Sequence, residues 1–244
     1  MVITSLENER VKNLVKLREK KYRDLTGHYL VEGYHLVEEA YKAGVVLELF
    51  ALEDENILFD VPYTYVSVEV MKKITTMESI SPIVAVCKKN SSTEIIGDKI
   101  LLLDGVQDPG NLGTMIRSAV AFHIDTIILG NGTVDLYNPK VLRATQGMYN
   151  HLNVIRKEAS LAIEELHEKN IIVYGTNVVD GVDVRTLSPL EKSKYCLVMG
   201  NEGNGVTERV QSLCDKNLYI QMDSKVESLN VAIACSILLY ELGR

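Results

Sequence analysis

The sequence contains no tryptophan and only three phenylalanines, so its core must be built from Val, Ile and Leu rather than from stacked rings. Its four cysteines (Cys87, Cys196, Cys214 and Cys235) are widely spaced and include no C-x-x-C pair. That pattern excludes a disulfide framework and reads as small buried hydrophobes in a reducing compartment. The five histidines form no H-x-x-x-H pair and no Cys/His cluster, so no structural metal is expected. The longest apolar run, residues 231–240, is too short to cross a bilayer. The first seven residues have neither the basic nor the apolar region of a secretion signal. A cytoplasmic protein without a membrane partner is expected. The formal charge of −7 excludes a uniformly basic coat for nucleic acid but not a local basic patch.

Hydrophobic residues make up 46% and charged residues 24% of the 244, the composition of an ordinary globular chain with room for one large domain or two modest ones. A polar break at residues 88–94 divides it, giving an expected N-terminal domain over 1–89, a linker over 90–97 and a C-terminal domain over 98–244. The N-terminal part alternates: a basic helix, a strand at 29–33, a helix near 35–41, strands at 45–51 and 61–66, a helix over 68–74 and a strand over 83–87. In the C-terminal part, apolar runs at 100–103, 126–129, 171–174 and 195–199 have strand length, as does a shorter one at 218–221. Helical segments lie between them at 112–122, 140–148, 159–169 and 206–213, and another follows at 229–242. The fold class is therefore α/β, a mostly parallel sheet with helices on both faces preceded by a small α/β domain. Ligands bind such sheets beyond the carboxyl ends of the strands.

Between Glu9 and Arg23 stand seven basic residues (Arg10, Lys12, Lys16, Arg18, Lys20, Lys21 and Arg23) and two acids. Lys12, Lys16 and Lys20 recur every four positions, one stripe of a single helix whose opposite stripe is Val11, Leu14 and Val15. The pattern alone fits a solvated helix face as well as an RNA-facing one.

Three strand-to-helix junctions carry the chemistry. Asp108-Pro109-Gly110-Asn111-Leu112-Gly113 is a turn in which Asn111 suits an N-cap, with Arg117 six residues on. Gly200-Asn201-Glu202-Gly203-Asn204-Gly205 follows a buried strand. Its glycine order and late position exclude a dinucleotide fingerprint, and no G-x-x-x-x-G-K-[ST] loop for nucleoside triphosphates is present. Ile220-Gln221-Met222 precedes Ser228-Leu229-Asn230, in which Ser228 is a plausible N-cap for the last helix.

In this order the three junctions resemble the signature motifs of the SpoU/TrmH family of RNA ribose methyltransferases. The resemblance covers residues 98 to 244 with specific motifs. The first ninety residues are only loosely similar to the ribosomal-protein-like RNA-binding domain of rRNA-directed members. It implies a trefoil knot, a homodimer and S-adenosylmethionine as methyl donor without a metal. Gly200 would present its backbone to the cofactor, with Asn201, Met222 and the backbones of Ile220 and Leu229 around the adenosine and Thr176 near its ribose. The catalytic set would be Asn111, Arg117, Glu202, Ser228 and Asn230, with Glu202 either orienting its loop or pairing with Arg117. The family usually reads Ile-Pro-Met where this chain has Ile220-Gln221-Met222, which leaves the strand's exit less fixed. Leu142-Arg143-Ala144-Thr145-Gln146-Gly147 matches a further landmark and adds Arg143 to an RNA-facing set of Arg10, Lys12, Lys16, Lys20 and Arg23. Val231, Ala234, Ile237 and Leu238 of the last helix are candidates for a dimer surface.

The expected activity is 2′-O-methylation of RNA ribose, with large-subunit (23S) rRNA the expected substrate, free or within an assembling ribosomal subunit. A tRNA ribose methyltransferase and a non-catalytic RNA-binding or ribosome-assembly factor are the alternatives. Cofactor binding and methyl transfer distinguish them.

Overall fold

A computed structural model describes residues 2–77, 79–178 and 181–244. In chain order the elements are β1 (Val2–Ile3), α1 (Glu9–Lys16), α2 (Lys20–Thr26), β2 (His28–Glu32), α3 (Tyr34–Lys42), β3 (Val46–Leu52), β4 (Tyr63–Val66), α4 (Val68–Ile74) and β5 (Ile83–Lys88). There follow β6 (Lys99–Leu103), α5 (Pro109–Ala121), β7 (Thr126–Leu129), α6 (Pro139–Thr145), β8 (Asn153–Arg156), α7 (Ala159–Glu168) and β9 (Ile172–Thr176). The chain closes with β10 (Val182–Asp183), β11 (Tyr195–Met199), α8 (Glu208–Gln211), β12 (Lys216–Tyr219) and α9 (Val231–Leu242). It forms two compact units, one comprising the chain to Asn90 with Asp135–Asn150, the other Ser91–Val134 with His151–Arg244. No described helix is long and apolar enough to cross a membrane.

The first unit is built on a five-stranded mixed sheet ordered β1-β4-β3-β5-β2. Alternation along the strands sends Phe50, Val66, Val84 and Val86 to one face, where they bury Val11 and Leu14 of α1 and Val70, Met71 and Ile74 of α4. The single basic helix expected from the sequence is two helices. The chain breaks after Lys16, so Lys20 does not continue the stripe of Lys12 and Lys16. Two arginines account for the break. Arg23 Nη1 donates to the carbonyls of Leu17 (2.9 Å) and Arg18 (2.6 Å), which the end of α1 leaves without helical partners. Arg18 in turn donates to the carbonyls of Lys73, Ile74 and Thr75 at the end of α4. Arg23 is 3% exposed, and its guanidinium also pairs with Asp135 at 2.7 Å. Asp135 opens the segment that carries α6 and belongs to the same unit. In that segment Tyr149 meets Tyr29 hydroxyl to hydroxyl at 3.1 Å and the Tyr137 ring packs tilted by 41° against Tyr29, ring centres 4.4 Å apart.

The second unit has seven parallel strands ordered β10-β12-β9-β11-β6-β7-β8. The central strands β7 and β11 are buried along their whole length and β6 from Ile100 on, as their apolar runs require. Ile100, Leu102, Ile128 and Val198 face α7 and α8, while the alternate residues face the side on which α9 packs against β11 and α5. Residues 94–97, expected as linker, are fastened to this unit: Lys169 and Asn153 donate to the carbonyls of Ile95 and Glu94 (both 2.8 Å), and Ile95 is buried. The strands β1, β8 and β10 are additions to the sequence reading. Two of them have two residues each, and β8 is an edge strand with only Val154 and Ile155 buried. The strand read at 218–221 lies at 216–219, because pairing with β9 sets its register.

Arg23→Ala leaves Asp135 unpaired in a mostly buried position and should lower the stability of the first unit by about 3 kcal/mol or more in urea unfolding. A loss below about 1 kcal/mol, the range of a surface pair, would show that the pair does not hold the segment.

Candidate cofactor and active site

Because every strand of the second unit runs the same way, the loops after β6, β9, β11 and β12 all emerge at one edge of the sheet. β6 and β11 are neighbours, yet the helix after β11 covers the face opposite to the side where α5 and α9 pack together. A crevice opens where successive connections leave on opposite faces.

The loop after β11 closes on itself. Asn201 N–H donates to the Gly205 carbonyl (2.8 Å) and Gly205 N–H to the Asn201 carbonyl (2.9 Å). A Cβ on Gly200 would stand 2.0 Å from the Gly205 carbonyl carbon, so only glycine allows the ring to close here, and Gly205 itself has φ +70°. Asn201 fills the ring: its Oδ1 accepts from the N–H groups of Gly203 (3.0 Å) and Asn204 (3.1 Å), and its Nδ2 donates to the Gly105 carbonyl (2.9 Å). Behind the ring the buried Asp104 carboxylate accepts the Thr207 N–H at 2.8 Å. Asp104 was missed from sequence, although a charged residue directly after the apolar run 100–103 was a signal.

Glu202 reaches across to the loop after β6. Its carboxylate accepts the N–H of Asp108 (2.9 Å), the N–H of Gln107 (3.1 Å) and the Asn111 Nδ2 (3.1 Å). It makes no ion pair with Arg117, and its bonds go to the loop after β6 and the start of α5. Asn111 is not the N-cap of α5. Asp108 is, accepting the Asn111 N–H at 2.8 Å with Pro109 at the first helical position. The Asn111 side chain is thereby free to bridge, its Oδ1 accepting from Asn230 Nδ2 at 2.9 Å. Asn230, not Ser228, caps α9, its Oδ1 accepting from Ala232 (2.9 Å) and Ile233 (3.2 Å). The line Asn230–Asn111–Glu202 is self-consistent: the cap requires Asn230 oxygen toward the helix, which aims its amine at Asn111 oxygen and the Asn111 amine at the carboxylate.

A cavity of about 450 Å³ opens beside the ring, within the size range of small-ligand sites. Thr176, Gly200, Asn201, Ile220, Met222 and Leu229 all line it, as do Glu202 and Ser228. Asn111, Asn230 and Arg117 do not. Thr176 is oriented by donating its hydroxyl to the Val198 carbonyl at 3.0 Å. Val231, Ala234 and Leu238, read as candidates for a dimer surface, also line the cavity, which leaves Ile237 as the exposed member of that set. Gln211 and Tyr219 are lining residues that no motif marked. Arg117 is exposed on α5 and makes no hydrogen bond or ion pair with any described residue.

In the first unit the basic side chains are mostly engaged. Arg10 pairs with Glu48 and lies 5.3 Å over the Phe50 ring, Lys12 pairs with Glu7 at 2.8 Å, and Lys20 pairs with Asp24. Lys16 donates to Asn13 at 3.1 Å and Arg143 to Thr76 at 2.9 Å. These five remain at or near the surface. Arg23 does not: burial and the Asp135 pair remove it from any RNA-facing set.

Burial pushes the Glu202 carboxyl upward, but the Asp108 N–H, the Asn111 amide and the Gln107 N–H outweigh it and hold the group below the usual carboxylate range. A folded-state pKa lowered in this way gives stability that is complete above the unfolded value, about 4.3, and is lost as pH falls through the folded value. Hydrogen-exchange protection of residues 200–206, corrected for intrinsic rates, should therefore hold from pH 7 to about 5 and fall below about 4. Glu202→Gln should show the loosened loop already at pH 7. A loop equally protected in that variant would remove Glu202 as its anchor.

Comparison with known proteins agrees with this geometry. The model of the SpoU rRNA Methylase family matches residues 98–240, and that of the MRM3-like substrate binding domain matches residues 8–85. The 23S rRNA (guanosine(2553)-2′-O)-methyltransferase RlmP of Bacillus subtilis is 39% identical over 98% of both chains. The AdoMet-bound rRNA methyltransferase of Sinorhizobium meliloti is 29% identical and superposes with a TM-score of 0.88 over 99% of this chain and 97% of its own. The SpoU methyltransferase AviRb of Streptomyces viridochromogenes, in complex with AdoMet, is 24% identical with a TM-score of 0.88 over 98% of each chain, a likeness of fold alone. A glycine ring pinned to the start of α5 by Glu202, in a chain matched along its length, makes this protein a member of the SpoU rRNA methylase family.

Proposed function

We propose that this chain transfers a methyl group from S-adenosylmethionine to a ribose 2′-hydroxyl of 23S rRNA. The observation that carries the reading is the closed 201–205 ring walling a cavity of the right size, joined through Glu202 and Asn111 to the helix that bears an unpaired Arg117. The residues fit the cofactor: polar residues of the ring such as Asn201 and Asn204 line the cavity together with apolar ones such as Met222 and Leu229. When bound, S-adenosylmethionine supplies an activated methyl on sulfur, open to direct displacement without a covalent enzyme intermediate.

The chain's own contribution is alignment and charge. Glu202, Asn111 and Asn230 hold the ring, α5 and α9 in one geometry, so that a 2′-oxygen and the cavity keep a fixed line of approach. Arg117 grips an RNA phosphate with its planar fork and stabilises negative charge growing on the 2′-oxygen. The 2′-hydroxyl proton leaves to water, because a guanidinium keeps its own protons at neutral pH and the Glu202 carboxylate is engaged by the Asp108, Gln107 and Asn111 donors. Arg10, Lys12, Lys16, Lys20 and Arg143 contribute RNA contacts from the first unit. The guanosine given in the name of the Bacillus relative is the first target to test. The protein works in the cytoplasm as a homodimer, joined through the exposed stripe Ile233, Ile237 and Tyr240 of α9.

Isothermal titration with S-adenosylmethionine, paired with methyl-transfer assays, tests the activity. Wild type and Arg117→Ala should bind the cofactor alike, while transfer to 23S rRNA should fall about 100-fold or more in the variant. Transfer to tRNA instead would support the tRNA reading, and RNA binding by a wild type that does not bind the cofactor the non-catalytic one. Sedimentation tests the dimer: wild type should run as two copies and Ile237→Asp as one. A monomeric wild type would overturn it.

A further inference from the structure

Between the end of β12 at Tyr219 and the start of α9 at Val231 the chain has neither helix nor strand, yet Ile220 and Met222 in this stretch line the cavity. A wall without secondary structure needs something to fix its backbone, since ordering each residue costs conformational entropy. Among the described residues, one hydrogen bond ties residues 220–222 to the rest of the chain. Arg185 Nη2 donates to Gln221 Oε1 at 3.0 Å.

Arg185 is itself clamped. Its Nε lies 3.0 Å from Asp183 Oδ1 and its Nη2 2.5 Å from Asp183 Oδ2, and the same carboxylate accepts the Arg185 N–H at 3.0 Å. Arg185 holds the Asp183 carboxyl down to about 2, so the pair stays ionised at any pH used for binding. Asp183 lies in β10, directly opposite Tyr219 in the ladder with β12. The fork therefore stands beside the strand from which the 220–222 stretch departs, with its direction set by two bonds before it meets Gln221.

We propose that Arg185 is a positioning residue for the cofactor cavity: held by Asp183, it grips Gln221 and so fixes the backbone of Ile220 and Met222 where S-adenosylmethionine binds. The proposal rests on the methyltransferase reading of the cavity. It also explains how this chain manages with glutamine where resembling sequences carry proline. Proline limits the backbone through its own ring, whereas glutamine leaves it free and a side-chain bond from the turn after β10 replaces the restriction.

The test is a double-mutant cycle read by isothermal titration with S-adenosylmethionine, with thermal midpoints recorded for every variant. Arg185→Ala and Gln221→Ala should each raise Kd about threefold to tenfold, the effect of one such hydrogen bond. The double variant should be no worse than either single one, and the midpoints should stay near wild type. Gln221→Pro should bind like wild type and lose nothing when Arg185→Ala is added. Unchanged affinity in both single variants, additive losses, or a Gln221→Pro protein that still depends on Arg185 would each overturn the proposal. A wild type that binds no S-adenosylmethionine would refute the methyltransferase reading instead. Hydrogen exchange of residues 220–223 in the free protein then decides: faster exchange in Arg185→Ala keeps the positioning role, and unchanged exchange removes it.

Discussion

The Glu202 carboxylate holds together stretches of chain that the sequence keeps far apart. It draws the N–H groups of Gln107 and Asp108, some 95 residues earlier, onto the loop after β11, and through Asn111 it reaches the cap of the last helix. Loops at a sheet edge have few neighbours of their own, and their backbone donors must still be satisfied. Here three carboxylates (Glu202, Asp104 and Asp108) and two asparagines (Asn201 and Asn230) do so with side chains. The ring stays closed, the cavity keeps its wall, and α5 and α9 start from fixed points. Remove the carboxylate and the N–H groups of Gln107 and Asp108 lose their acceptor at once.

The same economy governs the first unit. Arg18 and Arg23 look from the sequence like part of a basic run, but their donors are spent on carbonyls at the ends of α4 and α1. Buried guanidinium suits that task because its several donors lie in one plane and keep their charge. The basic side chains left at the surface are largely lysines, several already paired with acids. Such a surface attracts phosphate through long-range charge that salt screens, not through rigid bidentate contacts.

The placement of much of the candidate site was legible in advance. The motif residues stand at strand-to-helix junctions, and a parallel sheet sends those junctions to one edge, so Thr176, Gly200, Ile220 and Leu229 come together on topology alone. The detail at each junction was less legible. Asn111 and Ser228 both have side chains suited to capping, yet Asp108 and Asn230 hold the caps. Propensity does not distinguish neighbours three residues or fewer apart when either could turn its side chain back on the helix. Asp104 and Arg185 were not singled out because their partners, Thr207 and Gln221, are near only after folding. The basic helix was misread as continuous because the carbonyls that stop it are satisfied by Arg23, beyond its end.

The amino-acid sequence by itself determined the class of fold, through unbroken apolar strands such as 100–103, 126–129 and 195–199 that suit only a sheet covered on both faces. It determined as well that a loop rich in glycine, at Gly200, Gly203 and Gly205, follows β11. Tertiary structure alone decided that Asp135–Asn150 belongs with the first unit, that Arg23 is buried, and that Glu202 answers to Asp108 and Asn111 and not to Arg117. The division has a physical reason. Periodicity and backbone geometry are properties of a few neighbouring residues, whereas the partner of a charge or a carbonyl is whatever the finished fold sets within about 3 Å of it.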